Sequence, residues 1–327
     1  MKLALLGFGK VGRALARLLH EQRDRFPFCV TGIHTARHGT ALDPNGLGPD
    51  PAFGPAAASV EEFLEFSAAD VLVELTPLNP ATGEPAISHI HAAFERRMHV
   101  VTANKGPIAH AYADLRDEAA RAGVHFRFES TVMDGAPVFS LVRKNLPGAR
   151  VLGFTGALNS TTKVIIDTMR EGGSMEEGIA AARRLGITEA DASFDIDGWD
   201  SAAKTAALAN VFLDARATPQ QVDTRGIARL TPERVAELAS KGKTVCLISR
   251  GRRSEEGVRL RVRAEVLDQT DVLAAVRGTS NLLLLHTDLV GTIGIVSVSP
   301  GIQQTAYGVF SDLVDVLGGQ PACSPAP

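Results

Sequence analysis

The stretch EADASFDIDGWDSAAK, residues 189–204, places several carboxylates beside one lysine. Carboxylates at this density can bind a hard cation, and a lysine among them can accept or return a proton. The charged residues of the stretch are Glu189, Asp191, Asp195, Asp197, Asp200 and Lys204.

A calcium loop of the EF-hand type is the first chemistry to consider. Such a loop needs Gly at position 6 and Glu at position 12. When Gly198 is set at position 6, Lys204 falls at position 12. Because a cation cannot ligate a cation, the stretch is not an EF-hand loop, and its acids must serve another purpose.

Asp200 and Lys204 lie four residues apart in WDSAAKTAALANVFL, which predicts an alanine-rich helix with both side chains on one face. One interpretation is structural: Asp197 caps the helix, Asp200 completes a capping box, and the pair is a surface ion bridge. The other interpretation is chemical. The flanking alanines leave little polar surface, and a poorly solvated lysine is expected to have a perturbed pKa.

The composition of the whole chain excludes several classes of protein. A length of 327 residues exceeds one ordinary core and predicts two domains. A net charge of −3 without a basic block argues against nucleic-acid binding. No apolar run is long enough to span a bilayer, and MKLALLGFG is too short for a signal-peptide core. We therefore expect a cytoplasmic protein without a membrane partner.

The three cysteines, Cys29, Cys246 and Cys323, are far apart and form no CxxC motif. The sequence therefore predicts neither a disulfide framework nor a structural zinc site.

The first residues have the order of a dinucleotide-binding turn. KLALL predicts a buried strand, and GFGKVG with the apolar stripe after it predicts a glycine turn that opens a helix. In this interpretation Gly7 makes the turn, Gly9 lets the backbone approach a pyrophosphate, and Gly12 allows close packing of helix and strand. An unrelated α/β protein can have the same letters, but the context favours a cofactor. The candidate residues are Gly7, Phe8, Gly9, Lys10, Val11 and Gly12.

The end of the second predicted strand, FCVTGIH, bears on the choice of cofactor. NAD-selective sites usually place an acid here to bind the ribose hydroxyls. This chain has Arg37 instead, and no acid before Asp43. Arg37 could pair with a 2′-phosphate, which favours NADP(H) over NAD(H), or it could be a solvated loop residue.

Two further predicted strands, DVLVEL and MHVVTANK, end near residues that can bind a ligand. In open α/β sheets, ligands bind outside the carboxyl ends of the strands. Thr76, Asn104 and Lys105 fall at such ends, as does Gly7. A lysine at a strand end is often only solvated, but its companions here point to a shared crevice.

The second half of the chain predicts mixed helices and strands. STTKVIIDTMREGG predicts a helix capped by Ser160 or Thr161. ITEADASFDIDG predicts a loop, NLLLLHTDLVGTIGIVSV a hairpin or two strands around Gly291, and TAYGVFSDLVDVL a final helix. In ESTVMDGAPVF, Glu129 and Asp134 could supply oxygens to a hard cation, or the segment could be an ordinary turn.

These patterns predict an α/β protein with a Rossmann-type dinucleotide-binding domain and an α+β catalytic and dimerisation domain. We expect the first domain at 1–130 and the second at 131–298. A C-terminal segment at 299–327 would pack its helix on the nucleotide domain and end in a frayed tail.

Several blocks of the chain resemble homoserine dehydrogenases, in the order of that family and over nearly the whole length. The pair formed by VTANK and E-x-D…D-G-x-D-x-x-x-K is far more specific than the glycine turn. The remaining blocks are GFGKVG, ESTVMDGAPV, GALNSTTKVI and TAYGVFSDLV.

The resemblance implies NAD(P)-dependent interconversion of L-homoserine and L-aspartate 4-semialdehyde, a step toward threonine, methionine and isoleucine. It implies that Lys204 handles the alcohol proton, that Asp200 helps to position the substrate and that Glu189 binds the substrate amino group. Lys105 would lie beside nicotinamide and substrate as a further catalytic residue. Cofactor contacts are expected in the glycine turn and at Arg37, Thr76, Ala103, Lys105 and Gly301.

The resemblance also implies a homodimer and a structural monovalent cation, usually Na⁺. The cation would be held by Glu129, Val132, Asp134 and Ala136.

The chain departs from the family pattern at two places. Ile187 stands where the family commonly has an aromatic residue, so a hydroxyl contact to the substrate is missing. SPGIQQTA replaces a more glycine-rich segment around Gly301. The sequence also ends soon after FSDLVDVL, from which we expect a short form without a C-terminal regulatory domain.

Other functions remain open at this level. A reductase of a related amino or hydroxy acid could have the same architecture, and Ile187 makes that possible. A catalytically silent NADP-binding sensor would not need the proton-accepting Lys204. An aspartate-semialdehyde dehydrogenase needs a nucleophilic cysteine, and none of the three cysteines is suitably placed.

Overall fold

A computed structural model describes residues 1–188 and 191–319. The chain forms two compact units. The first consists of Met1–Gly148 with the chain from Gly301 onward, and the second of Ala149–Pro300. The predicted boundary at residue 130 lies inside the first unit, so the predicted domain limits stay a prediction.

The first unit contains a six-stranded sheet with the order β3-β2-β1-β4-β5-β6. Its pairings are parallel except for the antiparallel edge pair β2–β3. This arrangement confirms the predicted nucleotide-binding type of fold. The strands are β1 Lys2–Leu6, β2 Cys29–Thr35, β3 Gly39–Leu42, β4 Val71–Glu74, β5 His99–Thr102 and β6 Phe126–Arg127.

Helices cover this sheet and close its core. Leu3 and Leu5 of the central strand are fully buried, and they share one core with apolar residues of the first and last helices, such as Leu15 and Leu313. The last helix thus belongs to the core of the first unit. The helices of this unit are α1 Lys10–Glu21, α2 Val60–Ser67, α3 Ala86–Glu95, α4 Lys105–Ala122, α5 Phe139–Asn145 and α11 Ile302–Leu317.

The second unit contains a six-stranded sheet with the order β12-β11-β7-β9-β10-β8. It is antiparallel except for the pair β10–β8. β11 and β12 form a hairpin, one of the two arrangements predicted around Gly291, which has φ +76° at the turn. The strands are β7 Val151–Ala157, β8 Asp223–Arg225, β9 Lys243–Ser254, β10 Gly257–Asp268, β11 Asn281–Thr287 and β12 Thr292–Ser297.

The central helix of the second unit, α9, packs against β9 and β10 because small side chains let it approach closely. Ala202, Ala206 and Ala207 are fully buried on this helix. The helices of this unit are α6 Ser160–Arg170, α7 Met175–Arg184, α8 Ser193–Ile196, α9 Trp199–Leu213 and α10 Pro232–Ser240.

Two predicted helix caps are wrong: Ser160 or Thr161 as the cap of α6, and Asp197 as the cap of α9. α6 is capped by Asn159, whose side chain accepts a hydrogen bond from Thr162 N at 2.8 Å. Ser160 is already helical, and its hydroxyl donates to Thr279 O instead. α9 begins after Gly198, which has φ +89°, a conformation that glycine adopts without strain.

The acidic segment differs from the predicted loop in that it contains α8. Asp197 follows the last turn of α8 and does not cap α9. Across residues 1–188 and 191–319, no helix is both long and apolar enough to cross a membrane. The cytoplasmic location stays a prediction.

Candidate active site

The glycine turn has the geometry that a dinucleotide requires. Gly7 has φ +100°, and a Cβ there would lie 2.6 Å from Leu75 O. A Cβ on Gly12 would lie 2.9 Å from Gly7 O, whereas one on Gly9 would meet no atom within 4 Å. Gly9 therefore borders open space where α1 begins, and it supplies no side-chain cap to that helix end. A helix start of this kind suits a pyrophosphate, so the residues present fit the cofactor.

The other residues of the turn have different environments. Phe8 is buried and contacts Phe53 edge-on, with ring centroids 6.0 Å apart, so its side chain belongs to the core. Lys10 is exposed, and Val11 is half-buried. Only Lys10 thus presents a polar side chain to solvent at this turn.

The carboxyl ends of β4 and β5 are joined by a buried carboxylate. Glu74 is fully buried and accepts hydrogen bonds from Thr76 N at 2.9 Å, from the Thr76 hydroxyl and from Thr102 Oγ1 at 2.8 Å. Burial raises the pKa of Glu74. The signal for this residue in the sequence is a lone acid inside the apolar run VLVEL, and it was not among the predicted site residues.

Thr76 and Ala103 form hydrogen bonds to Glu74, and Asn104 connects Thr76 to the start of α4 at Lys105. Ala103 N donates to Glu74 O at 3.3 Å, and Asn104 Nδ2 donates to Thr76 O at 3.2 Å. The Asn104 side chain also caps α4, in which Lys105 is the first residue. The predicted strand-end candidates of β4 and β5 are therefore neighbours in the first unit.

Arg37 and Gly301 are placed separately in the first unit. Arg37 is exposed in the turn between β2 and β3. Gly301 immediately precedes α11 in extended backbone, and a Cβ there would meet no atom within 4 Å. Both positions are open, as a ligand contact requires.

Glu129, the acid assigned to the cation site, serves as a helix cap. Its two carboxylate oxygens accept Phe139 N at 2.7 Å and Ser140 N at 2.8 Å, at the start of α5. Its own backbone N donates to Asp312 Oδ2 at 2.7 Å. Burial, and then the charge of Glu129, raise the pKa of Asp312 to about 8.

The other cation candidates also have protein partners. Asp134 Oδ1 accepts the Thr305 hydroxyl at 3.0 Å, and Ala136 O accepts Val138 N at 2.8 Å, while Val132 is buried. In the described parts of the chain, no three His, Cys, Asp or Glu side chains are grouped to hold a metal ion. The Na⁺ site, which would use backbone oxygens, stays a prediction.

In the second unit, Lys204 and Asp200 form a mostly buried ion pair. Lys204 Nζ lies 3.0 Å from Asp200 Oδ2, with side chains 15% and 12% exposed, and it donates to Leu158 O at 2.7 Å. The surface interpretation of the pair is therefore wrong. A charged pair buried to this extent needs fixed partners, and the site provides them.

Asn159 is the residue that organises the acids. Its Nδ2 donates to Asp200 Oδ2 at 2.9 Å and to Asp195 Oδ1 at 2.6 Å. Asp195 Oδ2 accepts the Thr188 hydroxyl at 3.1 Å. Burial, and then the charge of Asp200, raise the pKa of Asp195.

This network gives Asp195 a structural position that the sequence left open. Asp191, by contrast, is exposed and accepts Ser193 N at 2.9 Å in a local turn. Asn159 was not among the predicted site residues, because its partners lie 36 and 41 residues away in the sequence.

A second lysine of this unit, Lys163, is buried without a carboxylate partner in the described residues. Its Nζ donates to Asn281 Oδ1 at 2.9 Å, and both residues are almost inaccessible to solvent. Burial, and then the charge of Lys204, lower the pKa of Lys163 to about 7. Nothing in the sequence around Lys163 indicates this shift, and the perturbed pKa expected for Lys204 stays a prediction.

Glu189 lies outside the described residues, so its role in binding an amino group stays a prediction. Ile187 is half-buried, and its carbonyl accepts the Thr161 hydroxyl at 3.3 Å. Burial raises the pKa of the Cys246 thiol to about 11, which makes it a poor nucleophile. Cys323 also lies outside the described residues.

The two units offer complementary chemistry. An open helix start after a glycine turn can hold a pyrophosphate, and a lysine fixed between a carboxylate and a carbonyl can exchange a proton with an alcohol.

Comparison with known families agrees with this chemistry. Residues 7–129 match the model of the homoserine dehydrogenase NAD-binding domain, and residues 137–314 match the model of homoserine dehydrogenase.

Individual relatives match over almost the whole chain. The homoserine dehydrogenase of Methanocaldococcus jannaschii is 34% identical over 97% of this chain and 98% of its own length. An NAD(+)-dependent homoserine dehydrogenase of Pseudomonas canavaninivorans is 32% identical over 96% of both chains. A hyperthermophilic archaeal homoserine dehydrogenase in complex with NADPH superposes with a TM-score of 0.83 at 27% identity, covering 98% of this chain and 99% of that one. The chain belongs to the homoserine dehydrogenase family of nicotinamide-dependent oxidoreductases.

Proposed function

We propose that this protein interconverts L-homoserine and L-aspartate 4-semialdehyde, with Lys204 as the group that exchanges the substrate proton. The observation that carries the proposal is the buried arrangement of Lys204 Nζ, 3.0 Å from Asp200 Oδ2 and 2.7 Å from Leu158 O. These contacts fix the amine before substrate arrives, so little reorganisation is needed during the reaction.

Oxidation of a primary alcohol separates a hydride and a proton. A nicotinamide cofactor held at the glycine turn would supply the acceptor for the hydride. The neutral amine of Lys204 takes the hydroxyl proton, and in the reverse reaction the ammonium returns it to the aldehyde oxygen. Asp200 stabilises the ammonium form of Lys204, because a carboxylate at 3.0 Å favours the charged partner.

The same acids suit the ammonium of an amino-acid substrate. Asp200 positions the substrate, and Glu189 binds its amino group, as the family resemblance implies. Asn159 holds the carboxylates of Asp195 and Asp200 at fixed positions through one amide. Lys105, at the start of α4, acts beside nicotinamide and substrate, close in the first unit to Thr76 and Ala103.

The preferred cofactor is NADP(H). Arg37 is exposed after β2, where a guanidinium can pair with a 2′-phosphate. The first acid after it, Asp43, uses its carboxylate to accept Asn45 N at 2.8 Å in a turn. One relative is named as NAD(+)-dependent and another is in complex with NADPH, so the preference rests on Arg37.

The functional protein is a homodimer. Four apolar side chains of the β11–β12 hairpin and its exit are exposed, at an edge of the sheet of the second unit. Exposed apolar patches of this kind commonly mark protein interfaces. The four residues are Leu289, Val290, Val296 and Val298, which are 54–70% exposed.

Sedimentation tests the dimer. The wild type should sediment at about twice 34.6 kDa, and a Leu289→Glu/Val298→Glu variant should shift toward the single-chain mass, since two buried carboxylates oppose association. Val272→Glu, at an exposed position outside the hairpin, is the matched control. A wild-type sedimentation mass of 34.6 kDa would contradict the proposed homodimer.

Lys204→Met tests the proton role. Turnover of NADPH with aspartate 4-semialdehyde should fall by about 100-fold to 10,000-fold, the usual contribution of a general acid or base. NADPH binding, measured by fluorescence, should be unchanged.

The control is Lys241→Met, which removes an exposed lysine paired with Glu237. It should retain wild-type turnover. If Lys204→Met loses less than about tenfold, the assignment of Lys204 as general acid and base is incorrect. If the wild type binds NADPH but does not turn over, the substrate is a different one.

Arg37→Gln tests the cofactor preference. The value of kcat/KM for NADPH should fall by about tenfold or more, because a charge-assisted pair with the 2′-phosphate is lost, while that for NADH should change little. Arg17→Gln, an exposed position on α1, is the control. Equal losses of kcat/KM with NADPH and NADH would contradict a contact between Arg37 and the 2′-phosphate, and would indicate that Arg37 supports folding or the structure of its loop.

Lys163→Met tests how the burial of Lys163 affects the stability of the fold. Because burial lowers the pKa of Lys163 to about 7 from 10.5, the unfolded chain binds a proton between these values that the folded chain does not. Wild-type stability therefore decreases as the pH falls across this window. The melting temperature of the variant, relative to wild type, should rise over the same fall in pH. A difference that is constant with pH would contradict the lowered pKa of Lys163.

A further inference from the structure

The second unit has an arginine-rich cleft that the reaction does not use. It encloses about 820 Å³ and lies where β8 pairs with β10 at the edge of the sheet. We call it the arginine cleft. Its lining residues are Arg225, Arg229, Arg261, Arg263, Asp197, Glu265, Gly226, Ala228 and Ala264.

The strand register places like charges opposite each other. Arg225 of β8 is the direct partner of Arg263 of β10. On the other side of β10, Arg261 is the direct partner of Arg250 of β9. Like charges at opposed positions destabilise a sheet unless a counter-charge lies between them.

The available carboxylates do not balance these arginines. Glu265 is shared, at 2.7 Å from Arg250 Nη2 and 2.9 Å from Arg261 Nη2. Asp223 pairs with Nη2 of Arg263, whereas Nη1 of Arg263 is buried without a hydrogen-bond partner in the described chain. A buried donor without an acceptor is destabilising, and an anion oxygen would relieve this.

The remaining two arginines have still fewer partners. Within residues 1–188 and 191–319, Arg225 and Arg229 make no ion pair or side-chain hydrogen bond. Four arginines and two carboxylates line the cleft, so an excess of two positive charges faces its interior. A guanidinium fork matches the oxygens of phosphate and carboxylate groups.

The backbone that carries these arginines is held in place. Ile227 N donates to Ile196 O at 2.7 Å. A Cβ on Gly226 would lie 1.9 Å from the same oxygen, so only glycine fits there. The cleft is thus shaped before a ligand arrives, which lowers the entropy cost of binding.

We propose that the arginine cleft binds a small dianion, of the phosphate monoester or dicarboxylate class, between Arg225, Arg229 and Arg263. Neither Asp200 nor Lys204 is among the residues that line the cleft. The dianion supplies a counter-charge to Arg225 and an acceptor for the unpaired Nη1 of Arg263.

Titration calorimetry with inorganic phosphate tests the proposal. The full chain is saturated with NADPH so that its nucleotide site is filled, and sodium chloride keeps the ionic strength constant. Wild type is compared with Arg225→Gln/Arg229→Gln, which removes two arginines whose side chains make no ion pair or hydrogen bond within the described residues. The control is Arg252→Gln/Arg253→Gln, which removes two exposed arginines of β9 outside the cleft.

Wild type and control should bind one phosphate per chain, and the cleft variant should bind it at least about tenfold more weakly. Succinate in a parallel titration distinguishes the dicarboxylate from the phosphate class. Absence of saturable binding of both anions to wild type, or equal phosphate affinity in all three proteins, would overturn the proposal. A changed sedimentation mass of the cleft variant would instead assign these arginines to contact with a second copy. Homoserine turnover by the same variant is measured in a separate assay. Loss of anion binding can therefore be distinguished from loss of the proposed reaction.

Discussion

The ion pair between Lys204 and Asp200 is the constraint on which the second unit depends. Removing two charges from water is costly unless their hydrogen-bonding positions are filled and their geometry is fixed. Leu158 O and Asn159 Nδ2 meet this requirement from the segment that begins α6, and the pair itself lies in the first turns of α9. The position of Lys204 Nζ is therefore fixed by the segment where α6 begins and by the first turns of α9.

The neighbouring elements follow from this constraint. α9 is rich in alanine because it must lie close to β9 and β10 while it carries a charged pair. The first unit has a comparable arrangement, in which buried Glu74 binds Thr76 and Thr102 and joins the ends of two parallel strands. In both units a buried carboxylate with several hydrogen-bond partners fixes the positions of candidate site residues. These sites combine rigidity with polarity because every carboxylate has partners.

The sequence predicted features that depend on local chemistry. The glycine turn was predicted because Gly7 must have positive φ and Gly12 must allow close approach, and the β11–β12 hairpin because its strand pattern reverses at Gly291. Features set by distant contacts were missed. The role of Asn159 becomes visible only when the fold brings Asp195 and Asp200 next to it. The pairing of Arg225 with Arg263 depends on the register between two strands, in which these residues are 38 positions apart in the sequence. Asp197 was assigned as a cap because its residue type suits one, but the positive φ of Gly198 begins α9 one residue later.

The central claim is that Lys204 exchanges the proton of the substrate hydroxyl. A crystal structure of the complex with NADP⁺ and homoserine measures this most directly. We expect the homoserine hydroxyl oxygen within about 3.2 Å of Lys204 Nζ, the distance over which a general base can accept a proton. A hydroxyl that instead contacts Lys105 or Lys163, with Lys204 out of hydrogen-bonding range, would contradict it.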